Sequence, residues 1–138
     1  MPHISEANVA AARRVFDLFY RGELETAEDL LAEDFEFIEA VNVPGATRFG
    51  GKGWYARLLE HLDNAWQDPP GSFEADEFID LGDDVIIHGR LTLRGKASGL
   101  SVTNEMAVLL QFRVGRLSRA VNYPSEAAAR AASERSGR

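Results

Sequence analysis

FEADEFIDLGDDVIIHGRLTLRGKASGLSVTNEMAVLLQFRVGRLSRAVNY, residues 73–123, is the stretch that decides the fold. It divides into four runs, Phe73–Leu81, Val85–Arg94, Val102–Arg113 and Leu117–Tyr123, each rich in β-branched and aromatic residues that favour strands. Between them lie Gly82-Asp83-Asp84, Gly95-Lys96-Ala97-Ser98-Gly99 and Val114-Gly115, turn-rich segments short enough for hairpins. Four consecutive strands joined in this way predict an antiparallel meander.

Upstream, the period changes. From Ser5 to Arg21, Val9, Ala12, Phe16 and Phe19 recur at three- and four-residue steps with Arg13, Arg14 and Asp17 between them, the pattern of an amphipathic helix that Ser5 caps and Gly22 stops. A short second helix follows, with Leu24, Ala27 and Leu31 on one face. Asp34 to Glu39 alternates again, so that Phe35, Phe37 and Glu39 share one side of a strand. Asn42 to Thr47 reads as a loop. A third helix then places Trp54, Leu58, Leu62 and Ala65 on one stripe, with Pro69 and Pro70 ending it. Ser125 caps a short Ala-rich closing helix, and Ser133 to Arg138 reads as a polar, frayed tail.

The chain has 138 residues, 45% apolar and 27% charged, enough for one compact domain with a core at about 5–132 but not for two. Helices segregated from a sheet make the class α+β: a cone-shaped, curved antiparallel sheet wrapped around three N-terminal helices, with a short C-terminal helix. A sheet curled in this way leaves a pocket between itself and the helices. The net charge of −7 opposes binding to nucleic acid or an anionic membrane surface. With no cysteine, thiol nucleophiles and thiolate metal sites are excluded. The N-terminus lacks the charged and apolar regions of a signal peptide and no apolar run reaches membrane-spanning length, so the expected location is cytoplasmic.

Several short motifs, in order, resemble the nuclear-transport-factor-2-like superfamily and its SnoaL-like branch. They are Tyr20-Arg21-Gly22-Glu23-Leu24, Leu31-Ala32-Glu33-Asp34-Phe35, Phe49-Gly50-Gly51-Lys52-Gly53-Trp54, Leu81-Gly82-Asp83-Asp84-Val85, Gly95-Lys96-Ala97-Ser98-Gly99, and Phe112-Arg113-Val114-Gly115-Arg116-Leu117 leading to Asn122-Tyr123. The resemblance spans about Ser5 to Ala132 and implies a cone-shaped α+β barrel with a deep pocket, commonly paired through its outer sheet face. Function does not follow from fold, since members include ketosteroid isomerase, limonene epoxide hydrolase, polyketide cyclases and proteins of no known activity.

By its spacing from the Gly22-Glu23-Leu24 motif, Glu39 corresponds to the general-base carboxylate of ketosteroid isomerase. Burial beside Phe35 and Phe37 would raise its pKa toward neutrality; at a solvated strand end it would be an ordinary rim carboxylate. The oxyanion donors of that isomerase are replaced here by Val15 and, near the second position, Leu110, which disfavours the same reaction. On the strand from Val85, the apolar set Val85, Ile87 and Leu91 alternates with Ile86, His88, Arg90 and Thr92. Pattern alone turns the apolar set toward the helices. The resemblance to the epoxide hydrolase implies the reverse, with His88 and Arg90 inward as proton acceptor and orienting cation, and an apolar outer face buried in a homodimer.

On the next strand Asn104, Met106, Val108, Leu110 and Phe112 form the expected pocket wall, with Asn104 at its mouth and Glu105 outside in a cross-strand charge pair. Trp54 and Leu58 join that wall from the third helix. Asn122 stands where epoxide hydrolase-like relatives carry a catalytic aspartate; an amide cannot take up a proton at neutral pH, so its expected role is to bind substrate. His3, His61 and His88 are scattered without ligand spacing, and Gly50-Gly51-Lys52-Gly53 fits neither phosphate-loop nor dinucleotide signature, so neither metal nor cofactor is expected. The composite expectation is a pocket for a small apolar organic ligand. Two readings stay open: cofactor-free acid–base chemistry such as isomerisation, cyclisation, dehydration or water addition, with Glu39, His88 and Arg90 as its residues, or a ligand-binding or dimerisation module without chemistry.

Overall fold

The computed structural model describes residues 4–39, 47–51, 53–63, 66–95 and 97–135. Helix α1 (Ile4–Tyr20) buries Ala12, Val15 and Leu18 on one stripe and leaves Arg13, Arg14 and Asp17 in solvent. Gly22, at φ 77°, ends it: its N–H bonds the Phe19 carbonyl and the Glu23 N–H bonds that of Leu18, the paired bonds of a Schellman stop. Helix α2 (Leu24–Glu28) is a single turn around buried Ala27. Leu31, expected on its face, instead opens strand β1 (Leu31–Glu39).

After β2 (Thr47–Gly50) and α3 (Trp54–Asp63) come β3 (Trp66–Asp80), β4 (Asp84–Gly95), β5 (Ser101–Arg113), β6 (Arg116–Tyr123) and α4 (Glu126–Arg135). The strands form one sheet in the order β2-β1-β6-β5-β4-β3. The expected meander is β3 to β6, each antiparallel to the next. Strand β1 adds to its far side parallel to β6, with Phe37 opposite Ala120, and β2 closes that edge antiparallel to β1. Register shifts within the β1–β6, β3–β4 and β5–β6 pairings bend this sheet into an open, curved trough.

The departures from expectation lie at the edges. Helix α3 stops at Asp63, and Pro69 and Pro70 fall inside β3 rather than ending the helix. Strand β3 is an outer strand of the sheet, the place where a residue without an N–H is tolerated. Further along β3, the register slips by one residue between Ala75 and Glu77, opposite Gly89. A Cβ at Gly89 would stand 2.0 Å from the Glu74 carbonyl oxygen, so only glycine lets the two backbones approach there. The β5–β6 hairpin turns through Val114 (φ 52°) and Gly115 (φ 77°), the two left-handed residues of a primed turn.

Helices α1 and α3 cover the concave face. Helix α4 lies against the other face, over β4, β5 and β6. Its start is capped as expected, the Ala128 N–H donating to Ser125 Oγ at 3.1 Å. The expected fraying from Ser133 onward is corrected for the residues described: α4 runs to Arg135, and Ser133 is buried, donating to Asp84 Oδ2. On the concave side, buried Asn8 donates from Nδ2 to the Gly82 carbonyl at 3.1 Å, tying α1 to the β3–β4 turn. Among the described residues, no helix is long and apolar enough to cross a membrane.

Candidate functional site

Successive residues of a strand face opposite ways, so one side of the sheet is written in every second position. On the concave side these are Phe35 and Phe37 of β1, Ile87 of β4, Met106, Val108 and Leu110 of β5, and Ala120 and Asn122 of β6. Ala12, Val15, Phe16 and Phe19 of α1 close the space from above, with Trp54, Tyr55 and Leu58 of α3. Between them lies a cavity of about 210 Å³, partly open to solvent. A dry apolar cavity of about 150 Å³ already takes up benzene, so this one has room for a molecule of one or two rings.

The wall is almost wholly hydrocarbon, and the aromatic residues are held in place by one another. The Trp54 indole stacks on Phe37 at 5.8 Å between ring centres and packs against Phe35 at 5.0 Å, Phe19 at 5.5 Å and Tyr55 at 5.5 Å. Burial pushes the Tyr55 phenol above its ordinary pKa, so it stays a neutral hydroxyl through the physiological range. Two buried polar atoms of this wall, Trp54 Nε1 and Asn122 Oδ1, have no hydrogen-bond partner among the described residues. An unpaired buried donor or acceptor costs about 1–3 kcal/mol, so such atoms call for an explanation.

Trp54, Leu58, Met106, Val108, Leu110 and Asn122 therefore meet around one space, as the sequence implies. Phe112 is buried in the same apolar cluster but does not line the cavity, and Asn104 is exposed at the far end of β5, opposite Leu91. The larger correction concerns His88 and Arg90. The apolar set Val85 and Ile87 faces the helices, so the imidazole and guanidinium stand on the outer face of β4, away from the cavity. The physical reason is the one pattern alone supplies: the concave side is where apolar area is removed from water. Glu39 ends β1 opposite Thr47, and its side chain lies outside the described residues.

On the outer face these groups form a charge network. His88 Nε2 is 2.7 Å from Glu105 Oε2, and Arg90 reaches Glu74 at 3.1 Å and Asp76 at 3.3 Å. Glu105 is thus in the outward charge pair expected of it. Glu77, His88 and Glu126 also bring one ligand atom each within 4.8 Å of the others, a grouping that the sequence spacing concealed because a strand pairing and a helix assemble it. Arg130 engages the other oxygen of Glu126 at 2.8 Å. Next to the network, Ile86 and Leu109 are sealed by α4 together with Ala107, Ile79 and Ala129. Val85 and Ile87, expected on an apolar outer face buried in a homodimer, pack on the concave side instead, and the outward Ile86 lies under α4.

What sequence reasoning missed is the contribution of Phe37, Tyr55 and Ala120, whose alternation and helical spacing were visible, and of Ala12, Phe16 and Phe19, which read only as a helix stripe; Val15 was read only as the residue replacing an oxyanion donor. The profile of the SnoaL-like domain matches residues 12–120 of the chain. No curated protein matches it. Among solved structures, the fold is similar to that of a nuclear-transport-factor-2-like protein of unknown function from Burkholderia pseudomallei K96243. That match has a TM-score of 0.72 at 18% identity and covers 88% of this chain and 93% of the other. A second such protein of unknown function, from Mesorhizobium loti, gives 0.66 at 25% identity, covering 89% and 94%. The structure of TerC co-crystallised with polyporic acid gives 0.70 at 17% identity, covering 91% and 96%.

Proposed function

The chain belongs to the SnoaL-like domain family, and on that premise we propose that its cavity binds a small, mostly apolar cyclic molecule. The observation that carries this reading is the cavity wall. It is hydrocarbon and aromatic, large enough for one or two rings, and held open by the Trp54 cluster rather than filled. A ligand there gains the burial of its own apolar surface at roughly 25 cal/mol per Å². A protein of similar fold was co-crystallised with a small molecule, polyporic acid, which supports a small-molecule role.

Binding, rather than chemistry, is what the described wall supports. Its only ionisable side chain is the Tyr55 phenol, and neither His88 nor Arg90 reaches it. General acid–base work needs a group that exchanges a proton near the working pH and touches the substrate. Glu39, two residues beyond Phe37 on β1, is the remaining carboxylate for such a role.

The test is direct. Naphthalene, followed by its fluorescence, binds the wild type saturably, and Ala120→Phe, which fills the space, abolishes binding while circular dichroism stays native. Equal binding to both proteins would refute a cavity ligand. Turnover of any bound compound that is lost on Glu39→Gln would replace the binding reading with an acid–base one.

A further inference from the structure

We propose that the outer face of β4 carries a site for one divalent transition-metal ion, zinc above all, held by His88 Nδ1 and the carboxylates of Glu77 and Glu126. The three side chains bring one ligand atom each to within 4.8 Å of one another, on the side of the sheet away from the cavity, so the site stands independently of any cavity ligand. Strand pairing and helix docking, rather than sequence spacing, bring them there. A bulge makes Asp76 the extra residue of β3, between Ala75 opposite Gly89 and Glu77 opposite His88. The alternation therefore changes phase: Phe73 and Phe78, an odd number of residues apart, both pack on Phe16 of α1, and Glu77 turns outward beside His88. Glu126 comes from the first turn of α4, whose place is fixed by the Ser125 cap, by buried Ala129 and by the hydrogen bond from Ser133 to Asp84.

The imidazole is arranged to meet an ion. His88 Nε2 lies 2.7 Å from Glu105 Oε2, and an ionised carboxylate only accepts, so Nε2 carries the hydrogen and donates it. In a neutral imidazole the other nitrogen then holds a lone pair, and this Nδ1 stands 4.0 Å from Glu126 Oε1, beyond hydrogen-bond reach. Zinc binds nitrogen and carboxylate oxygen at about 2.0–2.2 Å, so two ligands of a tetrahedral ion stand about 3.4 Å apart. Small rotations of exposed Glu77 and half-buried Glu126 close the difference. A carboxylate behind the ligating histidine is the usual outer partner of such a site, fixing the ring's tautomer, and Arg130, 2.8 Å from Glu126 Oε2, holds that carboxylate in turn. Charge agrees with geometry. Glu77, Glu105 and Glu126 face Arg130, while Arg90 is engaged by Glu74 and Asp76, so the cluster keeps a surplus of negative charge that a divalent ion offsets. One imidazole with two carboxylates suits zinc better than magnesium or calcium, which take oxygen ligands. Three protein ligands leave a fourth position for water, and the ion would pin the start of α4 to β3 and β4.

The experiment is a calorimetric zinc titration of the untagged 138-residue chain after treatment with a chelator. The wild type takes up one Zn²⁺ with micromolar affinity, and its Tm rises by several degrees at saturating zinc. His88→Gln and Glu126→Gln each weaken binding at least tenfold, Glu77→Gln does so about tenfold, and Glu105→Ala, which removes only the outer partner, also costs about tenfold. His3→Gln and His61→Gln, at the two other histidines, change nothing. Nitrogen-15 spectra of the His88 ring place zinc on Nδ1 while Nε2 keeps its hydrogen, and millimolar Mg²⁺ does not displace it. No zinc bound below about 1 mM, affinity unchanged in both His88→Gln and Glu126→Gln, zinc on Nε2, or ready displacement by Mg²⁺ would each overturn the proposal. Should His88→Gln fold poorly, Glu126→Gln and the ring spectra of the wild type decide.

Discussion

Residues 86–88 and 107–110 show two chemistries on the same two strands. Ile87, Val108 and Leu110 face a cavity that none of the described residues fills, whereas Ile86, Ala107 and Leu109, each one position away, are sealed under α4. Beyond the edge of α4 the outer side turns ionic, with His88, Arg90, Glu105 and Glu74 paired at the surface. The difference teaches that one strand pair presents apolar and aromatic groups to the concave side and a helix seat followed by ion pairs to the convex side. His88 and Arg90, which invite a catalytic interpretation, belong to the second.

The comparison can be broken most easily in the packing. Leu109→Ala opens a void under α4 and is expected to cost about 3 kcal/mol, while Leu110→Ala, beside space already empty, costs about 2 kcal/mol because fewer neighbouring contacts are lost. Urea unfolding of the two variants checks the order, and a larger loss for Leu110→Ala would place the tighter packing on the wrong side. Next in size is the tether of α4. Removing the hydroxyl that donates to buried Asp84 by Ser133→Ala should lower stability by about 1.5 kcal/mol, the range for a hydrogen bond to a charged group.

The outer ion pairs come third. The Arg90 side chain is 56% exposed, so Arg90→Ala should change stability by less than about 1 kcal/mol and leave naphthalene affinity unaltered. A drop in affinity would bring that residue back to the site. The smallest expected effect is a flat pH profile. The Tyr55 phenol is raised by burial, so it begins to ionise only above its ordinary range, and any cost it adds to stability is confined to that alkaline region. Naphthalene affinity should therefore stay constant from about pH 5 to about pH 9. A titration step within that window would reveal an acid–base group in contact with the ligand, with Glu39 the first residue to substitute.

Local pattern made most of this legible. The helical stripe of Ala12 and Phe16, the alternation of Met106, Val108 and Leu110, and the two-residue turn at Val114-Gly115 are each written within a few neighbouring residues, and each stands where it was expected. The parallel pairing of β1 with β6 was not legible, because it joins residues more than 80 positions apart and leaves no local periodicity. Strand β2 was too short to stand out. The error at His88 and Arg90 has a different origin: alternation alone placed them outside, and resemblance to relatives of different chemistry reversed the assignment. Asn122 stands among the residues around the cavity, and its expected binding role rests on an amide keeping hydrogen bonding while losing proton transfer.

The central claim is that the ligand sits on the concave face among uncharged groups. Titrating ¹⁵N-labelled protein with naphthalene and following the indole and amide resonances tests it most directly. The account predicts saturable shifts at the Trp54 indole N–H, the Asn122 side-chain amide and the backbone of Val108, with His88 and Arg90 unmoved. Shifts confined to His88, Arg90 and Glu105, with the Trp54 indole unchanged, would contradict it.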